Sequence, residues 1–227
     1  MQGLAFLRLQ QISDSAIPIG GAAHSFGLES LVDAGLLGVE SLDQFFTDYL
    51  GEAGVVEAAY CERSAAACEL SELSQWLEWN AELGARKTAR ESREGSAAMG
   101  RRFLQLAARV SACELLRAAA ARAAESGSEL HLAPCFGLAA GAFGVEAGFA
   151  APAYLQQSVI TLISACQRLL PLGQTRAQEI LWSLKPAIAA AADRGRSLPL
   201  ESARSFTPLL DVASARHPTL RTRLFIS

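Results

Sequence analysis

The chain has 227 residues, of which 51% are hydrophobic, enough for one large core or two small ones. A net charge of −3 and a pI of about 5.7 exclude the strongly basic surface on which most nucleic-acid binding depends, so we expect no nucleic-acid partner. Aromatic residues are only 7% and alanine is abundant, which favours closely packed helices over a β-sandwich.

No apolar run reaches the roughly 20 residues of a membrane helix, so we expect no membrane partner either. The start of the chain, MQGLAFLRLQQISD, lacks the basic residues and the cleavage site of a signal peptide. The 5 cysteines are odd in number and include no CxxC pair. These features predict a cytoplasmic protein with buried free thiols.

The predicted elements begin with a short, irregular helix over residues 4–13 and a glycine-rich loop over residues 18–27. A helix follows the loop and ends at Gly35, because glycine is common just after a helix C-terminus. The next helix starts at Ser41 and continues to about Leu70, with a break at its glycines. Local pattern alone therefore predicts helices from the first residues onward.

Apolar spacing predicts a further helix over residues 71–83. The charged run 86–102 grades into one long helix that reaches Ala124. A loop follows at residues 126–128, which read Ser-Gly-Ser, and a short apolar helix over residues 131–144 comes after it. No segment shows the two-residue alternation of a strand, so the architecture is predicted to be all-α.

Two apolar helical patterns meet in residues 166–182, CQRLLPLGQTRAQEILW. Pro171 ends the first helix, and Gly173 is free to take a positive φ in the reversal. Pro186 is expected to kink or shorten the last long helix. We predict a buried helical hairpin here, with about eight to ten helices packed around it in a single all-α domain over residues 1–227.

The glycine-rich loop precedes a helix, and N–H groups at such a position attract anions. No Lys-Ser/Thr follows it and no strand precedes it, which excludes a nucleotide P-loop and favours a structural loop. Glu29 lies in the first turn after the loop, where it either interacts with the helix dipole or offers its carboxylate to a partner. In the charged run, Glu91 is expected to pair within its own helix with Arg86, Lys87 or Arg90.

The histidines are His24, His131 and His217. His131 and Cys135 have the spacing of two ligands on one helix face, but no second pair lies nearby in sequence, so no metal site is assigned. Ser25 beside His24 is no sign of a nucleophile, and neither HExxH nor GxSxG occurs. We therefore assign no catalytic residue and no tightly bound cofactor.

Residues 196–227 show little helical periodicity, and the chain finishes with Leu224, Phe225 and Ile226 after interspersed arginines. Terminal segments are usually polar, so these apolar residues need an explanation. The segment either packs back onto the hairpin or becomes ordered when a partner binds. We define residues 205–227 as a C-terminal docking tail.

Several motifs occur in a fixed order along the chain. They are IPIGG with GLE near the start, E-x-R-E-x-S-x-x-M-G from Glu91, H-x-x-P-x-FGLAA from His131, RLLPLGQ with a second glutamine at Gln178, and ASARH with TRLF at the end. In these motifs and their spacing the chain resembles the UreF family of urease accessory proteins over nearly its whole length.

The resemblance implies an all-α, non-enzymatic adaptor that forms a homodimer. Members of this family bind the accessory protein UreD, also called UreH, and through it the nickel-carrying GTPase UreG. The assembly acts on apo-urease, coupling GTP hydrolysis to nickel delivery, so the adaptor works in a nickel- and GTP-dependent pathway without holding either tightly. An alternative from another class is a nickel-binding metallochaperone that uses His24, His131, His217 and cysteines as ligands. A hydrolase is a third class, and the missing catalytic spacing argues against it.

The resemblance also implies which residues face partners. The family's contact positions correspond to the glutamate of GLE and the arginine before the LxPxGQ turn, and its UreD-docking segment corresponds to residues 214–225. On this reading Glu29 and Arg168 are surface groups, and charge reversal at either weakens GTPase recruitment or uncouples GTP hydrolysis from urease activation. Gln174 either contacts a partner or satisfies helix carbonyls at the turn, while the helix with Glu91, Arg93 and Glu94 is structural or partner-facing. The predicted partner-binding residues are Glu29, Arg168, Gln174, Arg216, His217, Arg221, Arg223, Leu224 and Phe225.

The chain departs from the family pattern at several positions where a polar or aromatic group is more usual. These positions are Ala22, Ala23, His24, Thr88, Pro218 and Ile226.

Overall fold

Residues 2–227 are described by a computed structural model, and they fold into α-helices joined by short connections. Within these residues no strand is present, which confirms the all-α prediction. The helices are α1 Gln2–Ile12, α2 Leu28–Asp33, α3 Leu42–Tyr49, α4 Val55–Ala66, α5 Leu73–Arg86, α6 Arg90–Ser111, α7 Glu114–Ser126, α8 Leu132–Ala142, α9 Ala150–Leu169, α10 Gln174–Ser183, α11 Lys185–Ser197 and α12 Pro208–Arg216. None of them is long and apolar enough to cross a membrane.

Shorter helical turns complete the connections. A π-helix, Leu50–Gly54, joins α3 to α4, so the glycines expected to break this helix instead sit in a widened turn. The 3₁₀ turns are Gly21–Ala23, Val39–Ser41, Leu70–Glu72, Leu200–Ser202 and His217–Thr219.

The centre of the fold is α8, which packs against α4 on one side and α6 on another. Glycines make these close approaches possible: a Cβ on Gly137 would lie 2.0 Å from the Cys61 carbonyl oxygen, and one on Gly141 would lie 2.2 Å from that of Ala65. A Cβ on Gly100 of α6 would likewise lie 2.1 Å from the Leu130 carbonyl oxygen. The core is therefore built around a helix that can accept backbone contact from its neighbours.

The predicted hairpin exists but is not the centre of the bundle. Helix α9 ends just before Pro171 and α10 begins at Gln174, as the sequence predicted. The expectation for Gly173 was wrong, because its φ is −69°. Helix α10 lies at the periphery, and Trp182 is 78% exposed.

Several predicted helices are divided, so α1 to α12 exceed the expected number. The long charged helix stops at Ser111, and Ala112 with a φ of 52° separates α6 from α7. Helix α4 ends at Ala66, which leaves Cys68 exposed outside it. Pro186 lies in the first turn of α11, where a missing N–H costs nothing, so it starts a helix rather than kinking one.

Candidate functional site

The C-terminal residues fold back onto the loop before α2. Helix α12 packs on α2 and α6, and the chain then returns along residues 22–29. Polar side chains from α2, α6, α9 and the residues after α12 converge on this return. We call the four side chains Glu29, Glu91, His217 and Arg223 the clasp.

At the heart of the clasp is His217, whose ring is fully buried between two carboxylates. Its Nδ1 lies 2.7 Å from Glu91 Oε2 and its Nε2 lies 2.8 Å from Glu29 Oε2. An ionised carboxylate only accepts hydrogen bonds, so a ring nitrogen that carries a proton donates to the carboxylate facing it. Arg223 Nη1 lies 3.5 Å from Glu91 Oε1 and adds a cation beside that carboxylate. The clasp thus places two basic side chains against two acidic ones.

Glu29 also binds the main chain of the returning segment. Its Oε1 accepts a hydrogen bond from Leu224 N at 2.6 Å, and its Oε2 accepts one from Phe225 N at 3.2 Å. Glu29 is only 6% exposed, so the expectation that it is a surface group was wrong. A buried carboxylate needs internal donors, and this one has them from the returning segment and from His217.

Arg168, in the last turn of α9, joins the loop to the returning segment. Its Nη1 donates to the Ala22 carbonyl oxygen at 2.7 Å and its Nη2 donates to the Leu224 carbonyl oxygen at 3.2 Å. Its guanidinium carbon lies 4.1 Å from the centroid of the Phe225 ring, a favourable cation–π contact. Arg168 is exposed, as expected, but its donors are engaged within the chain.

The loop itself holds the last residues through its backbone. Ile226 N donates to the Ala23 carbonyl oxygen at 2.8 Å, and the main-chain oxygen of Ser227 accepts from Ser25 N and from Phe26 N. Phe26, which carries the second of these donors, has a φ of 52° in the left-handed region. We define the groove as residues 22–29 together with the Arg168 side chain; residues 224–227 fill it.

His24 supports the floor of the groove. Its Nδ1 lies 2.7 Å from Ser227 Oγ, and its ring stacks on that of Phe26 with 5.5 Å between centroids. Burial lowers the pKa of His24, and the nearby Arg102 guanidinium lowers it further. His24 is therefore a neutral side chain that packs on Phe26 and forms a hydrogen bond with Ser227.

The predicted partner-binding residues divide into two sets by exposure. Glu29, His217 and Phe225 are buried in the contact between the groove, the clasp and the tail. The others are exposed, namely Arg168, Gln174, Arg216, Arg221, Arg223 and Leu224. The tail meets the predicted hairpin through Arg168 and otherwise packs on residues 22–29, α2 and α6.

The expected pairing of Glu91 within its own helix was wrong, because Glu91 binds His217 and Arg223 instead. Lys87 forms an ion pair with Glu57 of α4, and Arg86 donates to Tyr60 and to carbonyl oxygens before α12. None of these partners is near in sequence, so helical spacing gave no signal for them.

Beside the clasp lies a cavity of about 160 Å³, with residues 205–214 along one wall. Its polar lining includes Glu57, whose Oε2 accepts a hydrogen bond from Tyr154 at 2.6 Å. Burial works to raise the pKa of Glu57, but the Lys87 ammonium and the Tyr154 hydroxyl outweigh it and hold that pKa below its ordinary value. This buried ion pair fixes α4 against the connection between α5 and α6 and was not predicted from the sequence.

The histidines lie in different environments. His131 is fully buried at the start of α8, with its Nδ1 3.1 Å from Ser96 Oγ, and burial lowers its pKa to about 4. Cys135 is buried one turn later, and burial raises its pKa. Among residues 2–227, no group of three or more His, Cys, Asp and Glu side chains is arranged to hold a metal ion.

The fold and the clasp define an all-α protein in which a polar cluster holds a segment of its own chain. A family model described as UreF matches residues 37–185. The chain is 34% identical over 224 residues to the urease accessory protein UreF of Nostoc sp. (strain PCC 7120), which covers 98% of this chain and 96% of the relative. Identity is 32% over 221 residues to the UreF of Paenarthrobacter aurescens, with 97% of each chain covered. The chain belongs to the UreF family of urease accessory proteins.

Proposed function

We propose that this chain is a non-enzymatic adaptor in urease maturation that binds UreD/UreH and recruits the nickel-carrying GTPase UreG to apo-urease. Nickel is cargo in this pathway, and the chain holds neither nickel nor GTP as a resident cofactor. The family membership and the names of the relatives support this role. A homodimer in the cytoplasm is part of the same proposal.

The observation that carries the proposal is that the tail is held against the body while several of its side chains stay exposed. Arg216, Arg221 and Leu224 are exposed on a segment that the buried Glu29–His217 contact fixes to the body. Exposed arginines on a fixed segment suit a partner surface, because little backbone freedom is lost on binding. In this proposal the exposed residues contact UreD/UreH, while the buried ones set the shape of the tail.

On the neighbouring surface, Arg168 and Gln174 lie at the two sides of the α9–α10 turn. We assign this corner to UreG recruitment. Arg168 serves both regions, since its donors bind Ala22 and Leu224 while its outer edge remains exposed.

Co-purification from cells that express the matching UreD/UreH and UreG tests the proposal. Charge reversal of Arg216 and Arg221 to glutamate is expected to lower UreD/UreH recovery and urease activation together. The matched control is Arg122→Glu, an exposed arginine on α7 away from the tail. If the unaltered chain recovers neither partner, or if the control lowers recovery as much as the tail variants, the adaptor role or the assigned surface is wrong.

A further inference from the structure

The groove recognises an extended segment mainly through its main chain. Leu224 N and Phe225 N donate to the Glu29 carboxylate, and Ile226 N donates to Ala23 O. In the opposite direction, Ser227 O accepts from two successive N–H groups of the loop. Hydrogen bonds to the backbone of an extended ligand are one of the common modes of peptide recognition.

Side chains along the segment alternate between the groove and solvent. Phe225 and Ser227 are 5% and 2% exposed, whereas Leu224 and Ile226 are 56% and 68% exposed. This two-residue period is that of an extended strand. It places one aromatic anchor under Arg168 and one small hydroxyl residue beside His24.

The connection to the rest of the chain is exposed. Residues 221–223 are all exposed, and Arg223 contacts the body through its pair with Glu91 at 3.5 Å. The loop that receives the segment contains a turn of its own at Gly21–Ala23 and a positive φ at Phe26. An exposed stretch thus connects the occupant to the rest of the chain, and Phe225 is the buried apolar side chain of the occupant.

We propose that the groove is a peptide-binding site and that residues 224–227 occupy it as a ligand in cis. The ligand class is an extended peptide of the form Leu-Phe-Ile-Ser, in which the second position fills the space under Arg168 and the fourth reaches His24. Covalent linkage supplies effective concentration but no contact of its own. This inference goes beyond the adaptor role, because it concerns what the groove binds and not which protein the tail reaches.

The test uses the full chain with the cis segment weakened in two independent ways. Phe225→Ala removes the anchor, and Leu224→Pro removes one main-chain donor at a residue whose side chain is exposed. The probe is a fluorescein-labelled heptapeptide with the sequence of residues 221–227, RTRLFIS, and the readout is fluorescence anisotropy. Far-UV circular dichroism shows that each variant is folded.

We expect saturable binding of the heptapeptide to both variants and binding at least about tenfold weaker to the unaltered chain, where a tethered ligand competes at an effective concentration on the order of millimolar. The matched control peptide RTRLAIS is expected to bind both variants at least about tenfold more weakly than RTRLFIS, because it lacks the anchor. Adding Arg168→Met to the Phe225→Ala chain is expected to weaken binding of RTRLFIS.

Three results would overturn the proposal: no saturable binding to either folded variant, equal affinity for the unaltered chain, or equal affinity of the two peptides. The measurement needs no other protein. Its outcome is therefore independent of whether UreD/UreH or UreG binds this chain.

Discussion

The substitution Glu29→Gln tests the clasp directly, because it removes one charge and leaves the side-chain volume almost unchanged. Glu29 accepts hydrogen bonds from Leu224 N, Phe225 N and the His217 ring, at 2.6, 3.2 and 2.8 Å. An amide has one accepting oxygen and one donating nitrogen, so in either orientation at least one of these donors faces another donor.

The magnitude follows from those contacts. Leaving a buried donor unsatisfied costs about 1–3 kcal/mol, and the remaining bond to His217 loses part of its charge-assisted strength. We expect the clasp to weaken by about 2–4 kcal/mol, which raises the population of an opened tail by roughly 30- to 1,000-fold. This is less than the usual free energy of unfolding of a whole domain, about 5–15 kcal/mol, so the tail opens while the core stays folded.

Hydrogen–deuterium exchange with peptide resolution is the assay. Amides of residues 218–227 and 22–29 are expected to exchange faster in Glu29→Gln, while those of α8 keep their protection. The matched control is Glu179→Gln, the same chemical change at an exposed carboxylate on α10 that pairs with Arg176 at 3.5 Å. This control is expected to leave the exchange rates unchanged, since exposed ion pairs contribute little to stability. Unchanged exchange of the tail, or an equal loss of protection in α8, would refute the reasoning.

Three further predictions concern the rest of the chain. Gly137→Ala is expected to lower the free energy of unfolding in urea by about 2–3 kcal/mol, because its Cβ would lie 2.0 Å from a carbonyl oxygen of α4. The same change at Gly3 of α1, which has no neighbouring atom within 4 Å, is expected to be neutral or to stabilise by up to about 1 kcal/mol. His131 has a pKa of about 4 in the folded chain against 6.5 ordinarily, so the unfolded chain binds its proton first and stability falls as the pH drops from about 6.5 toward 4. That loss is about 2 kcal/mol between pH 7 and pH 4.5, and it should be absent in His131→Gln. Equilibrium dialysis of the isolated chain with Ni²⁺ at micromolar concentration is expected to show less than one equivalent bound. The reason is that no three His, Cys, Asp or Glu side chains of residues 2–227 are arranged to hold a metal ion.

Each of these has an outcome that contradicts it. Equal stability of the two glycine variants would mean that the contact between α4 and α8 is not as close as described. If the free energy of unfolding of His131→Gln falls with pH as much as that of the unaltered chain, groups other than His131 cause the loss of stability in acid. Stoichiometric nickel binding would favour the metallochaperone that the sequence left open.

Much of the fold was predictable because helix formation is governed by short-range pattern. The apolar spacing of α9, the stop at Pro171 and the loop at Ser126–Ser128 were all located from the sequence. The division at Ala112 was not, because it involves neither a proline nor a glycine. The sequence predicted a break at the glycines of Leu50–Gly54 but not that the break is a π-helix. The sequence also did not predict that α8 is the centre of the bundle. Its glycines are important because the backbones of neighbouring elements approach them closely, and those neighbours are distant in sequence.

The sequence alone determined that this chain is helical, which motifs it carries and which family it resembles. Those properties depend on residues close together in the chain or on motifs taken one at a time. Tertiary structure decided what Glu29 does: it is buried against His217, 188 positions away, and not presented at the surface. Burial and pairing of charges depend on which helices meet, and that follows from the packing of the whole core and not from any local spacing.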